Sequence, residues 1–210
     1  MNLKHSYWYF TEAIPKKTCD EIIKYGLTKK KKLAVTGGRD VHKLKGKKKK
    51  EAILELKTKR DSAVVWIEEE WLYNLVRPYV AIANKNAGWN FDYDWSEAIQ
   101  FTLYKKNQYY GWHCDSWTEP YKNMHPNFNG KVRKLSASVS LNDSSQYSGG
   151  EFEFDFRNKD PGLKTIVQCE ELKSHGSVVV FPSFLWHRVK PVTKGTRYSL
   201  VIWNLGAPFK

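Results

Sequence analysis

The segment Gly111-Trp-His-Cys-Asp-Ser-Trp117 places an imidazole and a carboxylate two residues apart, at His113 and Asp115. On a β-strand, side chains at positions i and i+2 point to the same face. We therefore predict a strand over 109–115 that presents both side chains together, with Cys114 facing the other way. One further histidine from another strand would complete the two-histidine, one-carboxylate ligand set of non-haem Fe(II) sites. A lone His-x-Asp is frequent by chance, so the prediction depends on the rest of the chain.

A further histidine is available at His187, in the segment Phe181-Pro-Ser-Phe-Leu-Trp-His-Arg-Val189. This segment has the pattern of a tight turn that enters a strand. The remaining histidines lie in the N-terminal part, the lysine-rich part, a polar loop and a glycine turn: His5, His42, His125 and His175. Its position makes His187 the candidate for the third ligand. The alternative for this single residue is a hydrogen-bonded, half-buried histidine without a metal.

Arg197 opens the apolar strand Arg-Tyr-Ser-Leu-Val-Ile-Trp203, ten residues after His187. If it faces the interior it needs a carboxylate, because an unpaired buried charge is very costly. No acidic residue lies nearby in the sequence. A dicarboxylic cosubstrate would supply the partner, since guanidinium binds carboxylate in a two-pronged way. Ser199, two residues on, would share the face of Arg197 and add a hydroxyl.

The elements that position these residues follow from the hydrophobic pattern. Helices are predicted over 15–27 and 68–85, with Pro78 kinking the second. An apolar packing face is predicted on the second helix, formed by Trp71, Leu72, Leu75, Val76, Tyr79, Val80 and Ile82. Short strands separated by turn residues are predicted over 61–67, 99–104, 109–115, 135–141, 151–156, 176–181, 187–191 and 197–203. Many short strands of this kind favour a sandwich, a barrel or a jelly roll.

The 210 residues suit one domain with a full core, and the net charge is +13. Neither a signal peptide nor an apolar run of the ~18 residues that a membrane span needs is expected, so we predict no membrane partner. The three cysteines, Cys19, Cys114 and Cys169, form no metal or redox spacing and favour a reducing, cytoplasmic location.

Eleven of the basic residues fall between Lys29 and Lys50, against one acid, Asp40. Gly37, Gly38 and Gly46 favour a loop or loose hairpin there. The first interpretation is a solvated segment. The alternative is a surface for an anionic partner, either nucleic acid or an acidic peptide. Aromatic residues do not interleave with the lysines, as base stacking would require.

The motifs occur in an order that resembles the prolyl 4-hydroxylase group of Fe(II)/2-oxoglutarate dioxygenases, and especially PKHD-type and hypoxia-factor hydroxylases. They are Tyr110-Gly-Trp-His-Cys-Asp115, Leu135-Ser-Ala-Ser-Val-Ser-Leu-Asn142, Ser148-Gly-Gly-Glu-Phe152, Gly176-Ser-Val-Val-Val-Phe-Pro182 and the segment from His187 to Trp203. The resemblance covers about residues 95–206, and more weakly 59–66. Two departures are Asn107, where members often have glycine, and Arg197, where animal collagen enzymes carry lysine.

The resemblance implies that His113, Asp115 and His187 bind iron and that Arg197 pairs with the distal carboxylate of 2-oxoglutarate. Tyr104 would line the cosubstrate pocket, and Trp203 would lie near the metal, its alternative being an ordinary core tryptophan. It also implies an α+β fold, with a double-stranded β-helix (jelly-roll) core over 95–210. Residues 1–94 would form an N-terminal helical layer with a Lys-rich loop over 29–59, the whole chain being one dioxygenase domain.

The activity that the resemblance implies is hydroxylation of an unactivated C–H, on a prolyl residue of a peptide or protein. The cofactors would be Fe(II) and 2-oxoglutarate, with ascorbate as a reductant. We further hypothesise that the lysine-rich segment recruits an acidic stretch of the substrate. The alternatives are a nucleic-acid demethylase of the same iron class, a zinc site built on the same three ligands, and a binding module without activity.

Overall fold

The computed structural model describes residues 3–35, 43–116, 118–122, 125–157 and 165–209. The helices in this part of the chain are α1 (Lys16–Thr28), α2 (Gly46–Lys57) and α3 (Glu70–Asn86). The strands of the N-terminal part are β1 (Trp8–Phe10), β2 (Lys32–Leu33), β3 (Arg60–Asp61) and β4 (Ala63–Ile67). The remaining strands are β5 (Trp95–Ser96), β6 (Ile99–Tyr104), β7 (Tyr109–His113), β8 (Val132–Ser140), β9 (Tyr147–Gly149), β10 (Phe152–Asp155), β11 (Ile166–Gln168), β12 (Val178–Pro182), β13 (Trp186–Val189), β14 (Val192–Gly195) and β15 (Arg197–Gly206).

The strands form two main antiparallel sheets. The larger sheet has the order β1-β12-β8-β15-β6-β4-β2, with β5 alongside β15. The smaller has the order β11-β10-β13-β7-β3, and β14 and β9 form a separate ribbon. Neighbouring strands are mostly distant in sequence, which is the crossed connectivity of a double-stranded β-helix. The predicted fold class, an α+β chain with a jelly-roll core, is confirmed.

The main apolar core lies between α1, α3 and one face of the larger sheet. Strand β15 shows how the sheet divides its residues, because Leu200 and Ile202 join this core while the alternate residues Ser199 and Trp203 do not. Helix α1 approaches the sheet closely at Gly26, where an added Cβ would lie 2.5 Å from the ring of Phe101. The helices therefore cover one face of the sheet and leave the other face for the site.

A second apolar cluster joins the two sheets. Phe152 and Phe154 of β10 pack against Phe181 of β12, with ring centroids 5.8 and 5.1 Å apart. Phe152 also lies on His187 of β13, at 5.5 Å. The period-two pattern that predicted β10 thus places its aromatic residues inside, next to one of the predicted ligands.

The Lys-rich segment differs from the prediction of a loop over 29–59, since residues 46–57 form helix α2. Lysine, glutamate and leucine are good helix formers, and Lys47 and Glu51 form an i,i+4 pair at 3.9 Å. Ala52 and Leu56 are buried, and Leu33 and Leu44 pack on them. This small cluster holds the helix in place. The loop or hairpin predicted at Gly37-Gly38 lies outside the described residues.

The N-terminal part is also less helical than predicted, because β1, β2 and β4 join the larger sheet and β3 joins the smaller one. On α3 the predicted packing face is partly wrong: Trp71 and Ile82 are exposed, while Tyr73 and Ala83 are buried. Among the described helices, none combines the length and the apolar character needed to cross a bilayer.

Candidate metal centre

Strand β7 presents His113 as its last residue, next to β13. The register pairs His113 with His187 and Tyr110 with Val189, so β7 has one residue more than β13 between these pairs. This extra residue is a β-bulge, a feature that re-aims side chains beside sites. As a result the rings of Tyr110 and His113 stack on one face, with centroids 3.4 Å apart.

Asp115 lies beyond the end of β7, so the predicted strand over 109–115 is two residues too long. The same-face argument for residues i and i+2 therefore does not place this carboxylate. Instead, the backbone N–H groups of Asp115 and Ser116 both donate to the carbonyl of Ser183, at 2.9 Å. Cys114 points away and donates to the carbonyl of Phe184. The turn after β12 thus holds the carboxylate in position.

The three predicted ligands converge. Their ligand atoms all lie within 4.8 Å of one another. Nε2 of His113 is 3.7 Å from Oδ1 of Asp115, and Nε2 of His187 is 3.5 Å from Oδ2. Each imidazole directs Nδ1 to a backbone carbonyl, that of Gly111 at 2.8 Å and that of Leu185 at 2.9 Å. These contacts leave both Nε2 atoms free for a metal.

The charge states suit a cation. Burial lowers the pKa of His113 well below its usual 6.5, and the neighbouring His187 lowers it further, so the ring is neutral at neutral pH. Burial alone would raise the pKa of Asp115, but the two imidazoles and Arg133 lower it below its usual 3.8. A neutral imidazole beside a buried carboxylate is the protonation state that metal binding requires.

Asp115 is supported by side chains that the sequence did not single out. Oδ2 of Asp115 accepts a hydrogen bond from Ser136 at 2.8 Å, and the Ser136 hydroxyl lies 2.8 Å from that of Ser183. Both serines are fully buried. The sequence signal for Ser136 is the alternation Leu-Ser-Ala-Ser-Val-Ser in β8. Serines that alternate with buried apolar residues must line the opposite face of the strand. That face is the interior of the barrel, not solvent.

Arg133 and Glu97 form a second support. The guanidinium donates to both carboxylate oxygens of Glu97, at 2.6 and 2.7 Å. It also lies over the ring of Trp203 at 4.0 Å and donates to the backbone carbonyl of Asp115 at 3.4 Å. Glu97 raises the pKa of Arg133 in spite of burial. This buried pair therefore fixes Trp203 beside the ligands.

Arg197 faces the interior, as expected, and is 2% exposed. Its Nη1 donates to Ser199 at 3.1 Å, and within the described residues no carboxylate lies within 4.0 Å of it. A cavity of about 210 Å³ opens beside it, with Tyr147, Gly150 and Phe152 in the lining. None of the three metal ligands is in that lining. A buried guanidinium without a carboxylate fits a dianionic cosubstrate.

Tyr104 is the cross-strand partner of Arg197, and its buried ring lies 5.7 Å from the guanidinium carbon. Trp203 is 5% exposed, and within the described residues its indole N–H has no partner at hydrogen-bond distance, although it lies near enough to Asp115 to help lower the pKa of that carboxyl. Trp112, which precedes His113, lies under Arg188 at 4.5 Å. Asn107 has φ +67°, which explains why asparagine can stand where glycine is usual.

Sequence reasoning gave Arg60 no role. It is 3% exposed, its Nε donates to Ser62 at 2.8 Å, and its Nη2 has no hydrogen-bond partner among the residues that the structure describes. The guanidinium lies 4.4 Å from the centroid of the Tyr110 ring, the ring that stacks on His113. The positive charge of Arg60 lowers the pKa of His113 further and adds to the demand for anions in the pocket.

The site is therefore a two-histidine, one-carboxylate centre inside a jelly roll, beside a buried arginine. A family model described as the 2OG-Fe(II) oxygenase superfamily matches residues 99–204, half of the chain. The chain belongs to this family, and its cofactors are Fe(II) and 2-oxoglutarate.

Individual relatives agree with the family. A PKHD-type hydroxylase from Pseudoalteromonas atlantica is 30% identical over 105 residues, which is 50% of this chain and 41% of that protein. The chain thus covers about two fifths of the length of this curated relative. The viral collagen prolyl hydroxylase of Paramecium Bursaria Chlorella virus-1, in complex with 2OG, has a TM-score of 0.62 at 17% identity, covering 97% of both chains. A Trichoplax adhaerens prolyl hydroxylase bound to a hypoxia inducible factor peptide has a TM-score of 0.58 at 15% identity, covering 95% of this chain and 83% of that one.

Proposed function

We propose that this protein hydroxylates an unactivated C–H of a prolyl residue in a peptide or protein, using Fe(II), 2-oxoglutarate and O2. The observation that carries the proposal is the convergence of His113, Asp115 and His187 in the same interior as a buried Arg197 that lacks a carboxylate. The prolyl substrate is supported by the names of structural relatives, one of which holds a peptide.

We assign the iron to His113, Asp115 and His187. Both imidazoles offer Nε2, because each Nδ1 is engaged by a backbone carbonyl. Ser136 and Ser183 hold the carboxylate and remove its freedom to rotate. When bound, the iron and 2-oxoglutarate would together activate O2 for oxidation of the C–H bond. The contribution of the chain is to position these partners and to exclude water.

We assign the distal carboxylate of 2-oxoglutarate to Arg197, with Ser199 as a further donor. The register pairs Ser199 with Ser140 on one side and Thr102 on the other, so three hydroxyl side chains cross the sheet in one row. All three are buried. The Tyr104 phenol lies on the same sheet face as Arg197 and would close this end of the pocket. The polar end of the interior is thus built on β6, β8 and β15 of the larger sheet, whereas the two histidines stand on β7 and β13 of the smaller sheet.

Aromatic rings surround the metal end. Tyr110 covers one side of His113 and Phe152 covers His187. Burial raises the pKa of Tyr110 to about 12, so this phenol stays neutral and adds no charge to the pocket. Apolar walls around the ligands keep competing water away from the reacting C–H bond.

The test is incubation of the purified protein with Fe(II), 2-oxoglutarate and proline-containing peptides under air. We expect succinate release, and a mass increase of one oxygen in a peptide, both abolished when His187 is replaced by alanine. Anaerobic titration with Fe(II) and then 2-oxoglutarate separates iron from zinc, because only the iron complex develops a charge-transfer band. Succinate release driven only by methylated single-stranded DNA would refute the prolyl assignment in favour of a nucleic-acid demethylase.

The demethylase remains the second candidate on one observation, the net charge of +13. We also propose that residues 1–210 act as one domain in a reducing, cytoplasmic compartment. The three cysteines are free, and two of them are buried, which supports that setting.

A further inference from the structure

Helix α2 carries an exposed stripe opposite its buried face. Ala52 and Leu56 point to the body of the protein. On the solvent side, Lys47, Lys50 and Leu54 follow one another at spacings of three and four residues, which places them on one line along the helix. Leu54 is 67% exposed, more than any other large apolar residue in the described part of the chain. We call these three residues, with the neighbouring Lys48, the α2 stripe.

The lysines of this stripe are poorly neutralised. Lys47 reaches Glu51 only at 3.9 Å, and both side chains are largely exposed, so the pair contributes little. Within the described residues, no carboxylate lies within 4.0 Å of Lys48 or Lys50. Clustered lysines that are weakly paired or have no carboxylate nearby, on a protein of net charge +13, create a positive potential that attracts anions.

The C-terminal end of α2 contacts the strand that carries the first metal ligand. The hydroxyl of Tyr109 donates to the carbonyl of Lys57, the last residue of α2, at 2.9 Å. The N–H of Gly111 donates to the carbonyl of Lys59 at 2.8 Å. Strand β3 then pairs with β7, the strand that ends in His113. A polypeptide lying along α2 would therefore run towards the strand that carries the first metal ligand.

We propose that the α2 stripe binds an acidic stretch of polypeptide that flanks the residue presented to the metal centre. This inference rests on the proposed function, and it predicts that the substrate carries negative charge beside the residue presented to the metal centre. Lysine ammonium groups are mobile point charges, which suit the scattered carboxylates of an extended segment. Leu54 adds an apolar contact between the charges, of the kind that supplies much of the binding energy at interfaces.

A polypeptide fits the stripe better than a nucleic acid does. Residues 46–57 include no aromatic side chain on which a base would stack, and no arginine to grip a phosphate with two bonds. The exposed apolar residue is a leucine, which has no counterpart in a phosphate backbone. Nucleic acid would be held by charge alone, whereas an acidic peptide would use both features of the stripe.

The experiment measures binding without turnover. A fluorescent proline-containing peptide flanked by a run of glutamates is titrated with the metal-free full chain, and compared with the same peptide flanked by glutamines. We expect tighter binding of the glutamate peptide at low salt. The triple variant Lys47→Gln/Lys48→Gln/Lys50→Gln should weaken it about tenfold, as expected for three exposed ion pairs. The control Lys17→Gln/Lys24→Gln/Lys85→Gln, with the same change of charge on α1 and α3, should leave it unchanged.

Two further variants separate the contribution of Leu54 from that of the lysines, and peptide binding from catalysis. Leu54→Gln should weaken binding of a glutamate peptide that contains a leucine, and this loss should persist at high salt, where the effect of the lysines is screened. His187→Ala should bind the glutamate peptide normally. A protein that binds this peptide but never hydroxylates one would refute the proposed function and leave the stripe intact.

Three results would overturn the inference. The first is equal affinity for the glutamate and glutamine peptides. The second is an equal loss in the triple variant and its charge-matched control. The third is binding of a labelled single-stranded DNA through the three lysines without binding of the glutamate peptide, which would assign the stripe to nucleic acid. Far-ultraviolet circular dichroism of each variant, compared with the parent, establishes that α2 is still formed.

Discussion

Two arginines beside the metal centre, the buried Arg197 and the largely buried Arg133, should respond in opposite ways to the same substitution. Arg197 has a serine hydroxyl but no carboxylate within the described residues, whereas Arg133 forms two short hydrogen bonds to the buried Glu97. We predict that Arg197→Met leaves the metal-free protein as stable as the parent or more stable, and that Arg133→Met destabilises it strongly. The substitution removes one charge in each case.

The magnitudes follow from what each change leaves behind. Burying an ion costs several kcal/mol even after relaxation, and the bond from Arg197 to Ser199 returns only about 1.5–3 kcal/mol. Removing Arg133 instead leaves the Glu97 carboxylate, which is 7% exposed, without its partner. Breaking a buried pair in this way costs about 3–5 kcal/mol. In a protein of this size that corresponds to a fall of roughly 6–20 °C in Tm.

Arg197→Met, which should not lower the stability of the protein, should strongly weaken the binding of 2-oxoglutarate. Loss of a buried charge partner costs about 2 kcal/mol or more, so Arg197→Met should weaken 2-oxoglutarate about 30-fold or more. Thermal melting of the metal-free variants and calorimetric titration with 2-oxoglutarate in the presence of Mn(II) measure both effects. The reasoning is wrong if Arg197→Met melts as early as Arg133→Met, or if it binds 2-oxoglutarate like the parent.

Three shorter predictions test other parts of the structure. Ser136→Ala should keep the fold but weaken metal binding about 10-fold, because Asp115 loses the hydroxyl that orients it; competition with a fluorescent chelator measures this, and unchanged affinity would contradict it. Gly176→Ala should lower the free energy of unfolding in urea by several kcal/mol, because the residue has φ +69° and its new Cβ would lie 1.9 Å from a backbone oxygen. The control Gly130→Ala has φ +73° but open space around the Cβ, and should cost only about 1–2 kcal/mol. Burial raises the pKa of Cys19 to about 11, so its thiol should resist iodoacetamide at pH 8 until the chain unfolds, and rapid labelling of the native protein would show that this helix face is open.

The convergence of the three candidate ligands and the interior position of Arg197 could be predicted from the sequence because these residues belong to motifs that occur in order along a set of strands. Their interior placement follows from the cost of leaving such groups unpaired, and the structure agrees. What could not be predicted is how Asp115 is placed. The carboxylate depends on a contact with Ser183, almost seventy residues away, and not on the strand geometry that suggested it.

Other differences have similar causes. The density of lysines around α2 favoured a solvated loop, although the residues of α2 are good helix formers, and the helix is held by a tertiary contact between Leu33 and the pair Ala52 and Leu56. Strand β1 is three residues long, too short for a period-two pattern to be recognised. The bulge in β7 is a register property of two strands, and no single segment encodes it. In each case the missing information is a partner that is distant in sequence.

Strand β1 has a consequence for how this protein behaves in concentrated solution. Its three residues pair with β12, whose sequence Val178-Val-Val-Phe-Pro182 is apolar and uncharged. An open edge on such a strand would be a template for another copy of the chain. With β1 in place, the outermost strand is short and half-exposed, which leaves little backbone for a neighbour to pair with. Three residues that have no part in the proposed chemistry therefore cover the edge of β12 against pairing with another copy of the chain.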